Sequence, residues 1–404
     1  MKVVVTGAAG MMSLSALLYL LEQEDVSQVV AADIQEDKLK ERVTALGDKR
    51  LVARFIDLAD VKGSAKVFKG NDIVINCAYQ GYITDKEFVD YELLTAKAAL
   101  EAGANYICLG GAPPTPELLS PALSAEFEKR GLLAIPGMGA APGSTEIMAT
   151  YAINRLDRTE TVDMFSVYYD LVPAEEHSRP LAPGHSMGGF RFIYCVDSAI
   201  YEDGEVQYFP LRSHPETVVF KEPIGPLTVA STPSAAAIAL SRCFPDIRRI
   251  TYRMGVDPKM IFLRDLGLFN NEPINVQGQM VSPWEVLMTL IRQLAPETKK
   301  PPDIVHEQRA IVKGEAAGKK VKYDISARPG PGLWKKFLEK GGVPGTSPTT
   351  GVCIAVTAMM LCRGQTKGKG VLPPALCIPP EQFIDEYAKA GMKIEIDSNM
   401  VIGE

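Results

Sequence analysis

The residues whose types and spacing suit them to chemistry gather at the ends of the first apolar segments. Residues 2–33 run as an apolar strand KVVVTG, a small-residue turn Gly7-Ala8-Ala9-Gly10, an apolar helical run, and a second strand VVAAD closing on Asp33. A pyrophosphate needs backbone N–H groups that approach it closely at the positive end of a helix, and a tight turn feeding a helix supplies both. Gly7, Ala9, Gly10, Met11 and Met12 form that turn, with Ala9 and Met12 standing where the strict G-x-G-x-x-G spacing has its second and third glycines. Asp33 completes the pattern, because a carboxylate at the end of the second strand accepts both ribose hydroxyls of an adenosine and repels a 2′-phosphate. Ile34 and Gln35 follow it with no adjacent Arg, so NAD is expected over NADP. The plainer reading of Asp33 is a strand-end turn residue. Asp57, at the end of the third strand ARFID, has two equal readings, a neighbour of the adenine or a turn former.

Further candidates follow along the chain. Cys77-Ala78-Tyr79 ends the fourth strand, which in a doubly wound sheet lies beside the nicotinamide end of a bound dinucleotide. Tyr79 there either hands on a proton or forms an aromatic wall. Pro142-Gly143-Ser144-Thr145 opens a helix, and Ser144 is either a contact for a substrate carboxylate at the helix N-terminus or an ordinary cap. His185 sits in a Pro-Gly-His-Ser-Met-Gly-Gly loop, where it is either the base that takes the proton released as an amine becomes an iminium, or a surface group. Arg191 and Arg253 have the planar fork that grips a carboxylate.

The elements that must position these residues alternate as strand and helix to about residue 150. DIVINCAY reads as a strand and FVDYELLTAKAALEAGA as a helix stopped by Gly103; NYICLG and GLLAIPG read as two further buried strands. Repeated βα units of this size argue for a parallel, doubly wound α/β sheet. Beyond Arg155 the texture changes to long, alternating β-rich runs that suit antiparallel strands, with Asp203-Gly204 as a hairpin turn. The apolar helix pattern SPTTGVCIAVTAMMLC needs an existing core to cover, so the C-terminal segment is expected to return to the first domain. The resulting division is 1–145 for dinucleotide binding, 146–345 as an inserted α+β domain, and 346–404 docking back.

At 404 residues the chain exceeds what one core usually organises, which suits this division. A net charge of −6 and a pI near 5.5 provide no basic field for nucleic acid, so the expected partner is a small molecule. Seven scattered cysteines with no C-x-x-C pair, and four histidines without metal-ligand spacing, suit reduced thiols in the cytoplasm and no metal. The first strand begins at Lys2, which leaves no room for a signal peptide, and the apolar run Met11 to Leu21 is too short to span a membrane.

The order of VVVTGAAG, ARFIDLAD, DIVINCAYQGY, GMGAAPGSTEIM, ITYRMGVDPKMIFLRDLGLF and TTGVCIAVTAMML with GVLPP resembles the saccharopine dehydrogenase-like family over most of the chain. That family includes saccharopine reductases, lysine 6-dehydrogenases and carboxynorspermidine synthases, and the layout here is most similar to the lysine 6-dehydrogenases. The resemblance implies a Rossmann domain, an inserted α/β domain to which it assigns substrate contacts and dimerisation, a C-terminal piece that docks back, and a homodimer. It also implies reversible oxidation of a carbon–nitrogen bond, with hydride passing between substrate carbon and nicotinamide.

The chain departs from the family in places that bear on substrate identity. Ala141 stands where saccharopine reductases carry an Asp before Pro-Gly, His185-Ser186-Met187-Gly188 replaces the W-S-P-R stretch, and Met254-Gly255-Val256-Asp257 replaces Y-P-G-H, although Arg253 before it is kept. Two function classes follow: a dehydrogenase of an amino acid or an imine-derived secondary amine, or a catalytically altered dinucleotide binder that acts as a redox-ratio sensor or scaffold.

Overall fold

Seven parallel strands form the first sheet of the protein, seen in a computed structural model that describes residues 1–78, 81–83, 88–110, 120–172, 193, 196–210, 213–233, 235–255, 258–293, 303–342 and 347–400. The first elements in the chain are β1 (Lys2–Thr6), α1 (Ser13–Leu21), β2 (Gln28–Asp33), α2 (Glu36–Leu46), β3 (Leu51–Phe55), α3 (Val61–Phe68) and β4 (Ile73–Asn76). A short hairpin of β5 (Gly81–Ile83) and β6 (Phe88–Asp90) leads to α4 (Tyr91–Ala102), β7 (Asn105–Cys108), α5 (Pro121–Lys129), β8 (Leu133–Ile135) and α6 (Ser144–Ile153). The local chemistry sets these boundaries. Asp60 caps α3 by accepting from Gly63 N at 2.9 Å, Asp90 caps α4 by accepting from Leu93 N at 2.9 Å, and Gly103 ends α4 with φ of 76°.

The strand order β3-β2-β1-β4-β7-β8 reverses direction of growth between β1 and β4, which is the switch point where a doubly wound sheet opens a crevice at its carboxyl edge. Val3, Val4, Val5, Ile73, Val74 and Ile75 are wholly buried, because helices cover both faces of these central strands. Each such side chain contributes roughly 1.5–3 kcal/mol.

The inserted region contains β9 (Arg158–Asp170), β10 (Ser198–Glu202), β11 (Glu205–Phe209), β12 (Glu216–Val219), β13 (Pro226–Ser231), α7 (Ala235–Cys243) and β14 (Arg249–Gly255). It continues with α8 (Pro258–Asp265), β15 (Ile274–Val276), β16 (Gln279–Val281), α9 (Pro283–Gln293), β17 (Ile304–Ala316), β18 (Lys319–Pro329) and α10 (Pro331–Glu339). Nine strands make its main sheet, the ninth, β20, coming from the C-terminal segment. The hairpin expected at Asp203-Gly204 joins β10 to β11, with both turn residues at positive φ. The antiparallel expectation holds with one departure: β14 runs parallel to β9, because α7 supplies a crossover between the hairpins and β14.

The C-terminal segment comprises α11 (Ser347–Cys362), β19 (Gly370–Val371), α12 (Pro374–Cys377), α13 (Pro380–Lys389) and β20 (Met392–Met400). It returns to the first domain, with α11 packed on α1 and β19 added parallel to β8. Gly351 permits that packing, since a Cβ there would lie 2.9 Å from Ala16 N. The final strand differs from the expectation: β20 joins the second sheet, antiparallel to β18, so this segment ties the two sheets together. One apolar core accordingly runs through Val3, Leu17, Ile147, Met164, Ala310, Val352 and Tyr387.

Among the described residues no helix is long and apolar enough to cross a membrane. Cys77, Cys108, Cys243, Cys353, Cys362 and Cys377 are free thiols. Cys195 lies outside the described residues.

Candidate active site

At the carboxyl edge of the first sheet, Gly7 takes φ of 66°, and a Cβ there would lie 2.5 Å from Ala78 N and 2.7 Å from Ala78 Cα. Only glycine allows the turn after β1 to close against the end of β4 at the switch point. This contact joins two of the sequence-predicted positions, Gly7 and Ala78. Ala9 N donates to Asp33 Oδ2 at 2.9 Å, Gly10 N to Gly7 O at 2.9 Å, and Ser13 Oγ to the carbonyls of Ala8 and Gly10 at 2.9 and 3.0 Å. Asp33 is buried, and its other oxygen accepts from Gln35 N at 2.9 Å. Met11 and Met12, half-buried, lead directly into α1. The expected turn, Asp33 and the Cys77-Ala78 strand end are therefore assembled in one place.

Asp57 is exposed and its Oδ1 accepts from Ala59 N at 2.9 Å, which is turn geometry at the end of β3. Cys77 is buried, and burial pushes its thiol up to about 12, so it stays protonated and unreactive. Beneath it, Thr6 Oγ1 donates to Asn76 Oδ1 at 2.7 Å, Asn76 Nδ2 to the Tyr106 hydroxyl at 3.1 Å, and that hydroxyl to Glu92 O at 3.1 Å. This chain of bonds crosses β1, β4 and β7 and fixes their carboxyl ends relative to one another. The Glu92 carboxyl beside it is pushed up to about 8 by burial, with Asp90 nearby adding to the effect.

A second turn closes the same edge after β8. Gly139 N donates to Pro142 O at 2.8 Å, the Ala141–Pro142 peptide is cis, and Gly143 stands at φ of 128° with room for no Cβ, which would lie 2.6 Å from Gly139 N. Glu146 holds this turn: its Oε2 accepts from Gly143 N at 2.6 Å and from Thr145 Oγ1 at 2.9 Å. Its Oε1 is buried without a hydrogen-bond partner, and burial pushes the carboxyl up to about 7. Ser144 is wholly enclosed and donates to Ala140 O at 3.1 Å. Of the two roles expected for Ser144, substrate contact or cap, neither is fixed by this geometry: its hydroxyl donates back to Ala140 O, while Glu146 accepts from Gly143 N at the N-terminus of α6.

The inner face of the second sheet meets this turn. Alternation along β17 places His306, Gln308 and Ala310 on that face. Gln308 Nε2 donates to Ala140 O at 2.5 Å, and the Tyr387 hydroxyl lies 3.3 Å from Gln308 Oε1 and 3.1 Å from Thr349 O. His306 is fully buried, with Nε2 2.9 Å from Ser166 Oγ, Nδ1 2.7 Å from Thr349 Oγ1, and the Tyr168 ring stacked on it at 4.7 Å.

Arg253 stands elsewhere. It pairs in register with Phe165, on the face of the sheet opposite to Ser166 and His306. Its Nη1 lies 3.2 Å from Asp163 Oδ1 and 3.0 Å from Glu216 Oε1. Two carboxylates hold this guanidinium in an ion cluster within the inserted sheet, and its grip on a substrate carboxylate stays an expectation. Tyr79, His185 and Arg191 lie outside the described residues. Among the described residues no group of three or more His, Cys, Asp and Glu side chains is arranged to hold a metal.

Arg42, Glu92, Glu146, His306 and Gln308 were not singled out from the sequence. Alternation in IVHEQRAIV marks His306 and Gln308 as one face of a strand, and S/T-x-x-E-like spacing from Gly143 to Glu146 marks a cap. Arg42 carries no comparable signal, since it reaches the turn only through the packing of α2.

Comparison with known proteins agrees with both halves of this arrangement. Residues 3–130 match the family described as saccharopine dehydrogenase NADP binding domain, and residues 139–392 match the saccharopine dehydrogenase C-terminal domain. Carboxyaminopropylagmatine dehydrogenase of Synechocystis sp. is 23% identical over 421 residues, covering 97% of this chain and 96% of that protein. The apo structure of saccharopine dehydrogenase (L-Glu forming) from Saccharomyces cerevisiae superposes with a TM-score of 0.71 at 14% identity, covering 98% of this chain and 99% of that one. The expected preference for NAD finds no support, because the matched first domain is described as NADP binding and both Asp33 oxygens are already engaged by backbone N–H groups. With the glycine turn at the switch point and both domains matched in tandem, the chain belongs to the saccharopine dehydrogenase family of oxidoreductases.

Proposed function

We propose that the protein is an NADP(H)-dependent dehydrogenase acting on a carbon–nitrogen bond of an amino acid or an imine-derived secondary amine. The observation that carries this reading is the turn at the switch point, where Gly7 closes on Ala78 and Asp33 holds Ala9, within a chain matched to this family over both domains. The Gly7–Met12 turn and the start of α1 would hold the pyrophosphate, and the end of β4 would face the nicotinamide. When bound, the dinucleotide takes a hydride from the carbon bearing nitrogen. The substrate nitrogen loses its proton, and water attacks the resulting iminium to release an amine and a carbonyl compound; the reverse is a reductive condensation. Tyr79 and His185 are the proposed proton-transfer groups, and Arg191 the proposed carboxylate contact. The relatives named above act, by their names, on amines that carry an amino-acid group, which supports the same class here. We further propose a cytoplasmic homodimer formed through the inserted domain.

The test is titration of the full chain with NADPH and NADH by nicotinamide fluorescence, followed by addition of lysine, saccharopine and related secondary amines. Tight NADPH binding with substrate-dependent reduction or oxidation of the nicotinamide is the expected result. Tight binding without turnover across the panel would favour a redox-ratio sensor, a role consistent with the missing acid at Ala141.

A further inference from the structure

We propose that Arg42 is a positioning residue for the dinucleotide, holding the Ala8–Ser13 turn in its pyrophosphate-binding shape for phosphorylated and unphosphorylated cofactors alike. This rests on the functional reading above. Arg42 projects from the middle of α2, and three oxygens gather around its Nη1: the Ala8 carbonyl at 3.2 Å, the Gly10 carbonyl, and Ser13 Oγ at 3.3 Å. Two backbone carbonyls directed at one point repel each other unless a cation stands between them. Between those carbonyls in the chain, Ala9 N points the other way, to Asp33 Oδ2. The Ala8–Ala9 peptide unit is thus gripped from two directions, its oxygen by a cation and its N–H by an anion.

Two further N–H groups at the start of this segment are fixed as well, Ala8 N to Ala32 O at 3.2 Å and Gly10 N to Gly7 O at 2.9 Å. Only Gly7 in this turn adopts a left-handed φ. The strict motif relies on three glycines to shape the turn, whereas Ala9 and Met12 replace two of them here. The conformational role of the missing glycines passes to side chains outside the turn. A guanidinium suits this half-buried place because it is more weakly hydrated than a lysine ammonium and so sits more readily among carbonyl oxygens.

The test is fluorescence titration of the full-length wild type, Arg42→Met, Arg42→Lys and Ser13→Ala with NADPH and, separately, with NADH. Arg42→Met is expected to weaken both nucleotides by the same factor, about ten- to hundredfold for a lost charge-assisted bond set, leaving their affinity ratio unchanged. Arg42→Lys should recover only part of the loss, and Ser13→Ala should show a smaller loss of the same kind. Methylguanidinium added to Arg42→Ala should restore affinity for both nucleotides, a rescue that a general folding defect does not allow. Unchanged affinity in folded Arg42→Met would overturn the proposal. A loss confined to NADPH would also overturn it, by making Arg42 a 2′-phosphate ligand. Should Arg42→Met not fold, equal weakening in Arg42→Lys supports the inference and wild-type affinity there overturns it. A wild type that binds neither nucleotide would remove the functional reading and this inference together.

Discussion

The two turns at the carboxyl edge of the first sheet are built alike and held differently. Each needs one glycine where no Cβ fits, Gly7 against Ala78 and Gly143 against Gly139, and in each a carboxylate accepts a backbone N–H, Asp33 from Ala9 and Glu146 from Gly143. Asp33 has the guanidinium of Arg42 on the other side of its turn, whereas Glu146 is fully buried, with one oxygen unpartnered and its carboxyl pushed up to about 7. On the reading proposed above, the first turn receives a polyanion between a cation and an anion. The second turn instead keeps an acid in the interior that holds its proton up to about neutrality, because an unpaired buried charge is costly. Replacing each glycine by alanine separates the two roles most sharply. Gly143→Ala should destabilise the whole protein by at least ~3 kcal/mol, seen as a large drop in Tm, because it strains the joint between the sheets. Gly7→Ala should act chiefly on ligands, weakening NADPH binding by about a hundredfold or more with a smaller fall in Tm, since the clash moves the turn away from Ala78.

The second sharpening comes from pH. Burial raises the Glu146 carboxyl from an ordinary 4.5 to about 7, so between those values the folded chain keeps a proton that the unfolded chain has released. Stability from this group is therefore present at low pH and falls as pH rises through that window, by roughly 3 kcal/mol at 1.4 kcal/mol per unit. Glu146→Gln keeps an acceptor for Gly143 N and cannot ionise. Thermal melts across the window should show the downward slope in the wild type and a flatter profile in Glu146→Gln, with the variant more stable above it. Glu92, raised by burial to about 8, gives a second slope over a wider range, so Glu92→Gln should remove what Glu146→Gln leaves. Equal slopes in wild type and both variants would show that neither acid is protonated in the folded state.

Much of the first turn was legible because its determinants lie close together in sequence: a strand, a glycine, a helix and an acid at the next strand end. The second turn was legible only as a helix start. Its binding partner, Gln308, is 168 residues from Ala140, and only the folded sheet brings the two together. The pairing of Arg253 was not legible either, since a guanidinium in a sheet is as readily paired by Asp163 and Glu216 as by a ligand. The C-terminal return to the first domain followed from the apolar pattern of α11, but the destination of β20 did not, because an edge strand of alternating residues fits either sheet. The expected preference for NAD rested on Asp33 as a free carboxylate, and sequence does not show that its oxygens are already engaged by Ala9 N and Gln35 N.

The smallest effect tests whether the second turn communicates with the inserted domain at all. Gln308 bridges Ala140 O and the Tyr387 hydroxyl, and Tyr387 also reaches Thr349 O at the start of α11. Gln308→Leu preserves volume while leaving Ala140 O without this donor in a buried place, a change that costs about 1–3 kcal/mol. Tyr387→Phe removes only the hydroxyl, at about 1 kcal/mol. If the joint is a single network, the double variant should lose less than the sum of the two, because the second substitution removes a bond whose partner has already gone. Additive losses in chemical denaturation would instead make the two contacts independent, and Gln308 would then hold the turn after β8 through Ala140 O whether or not the Tyr387 hydroxyl is present.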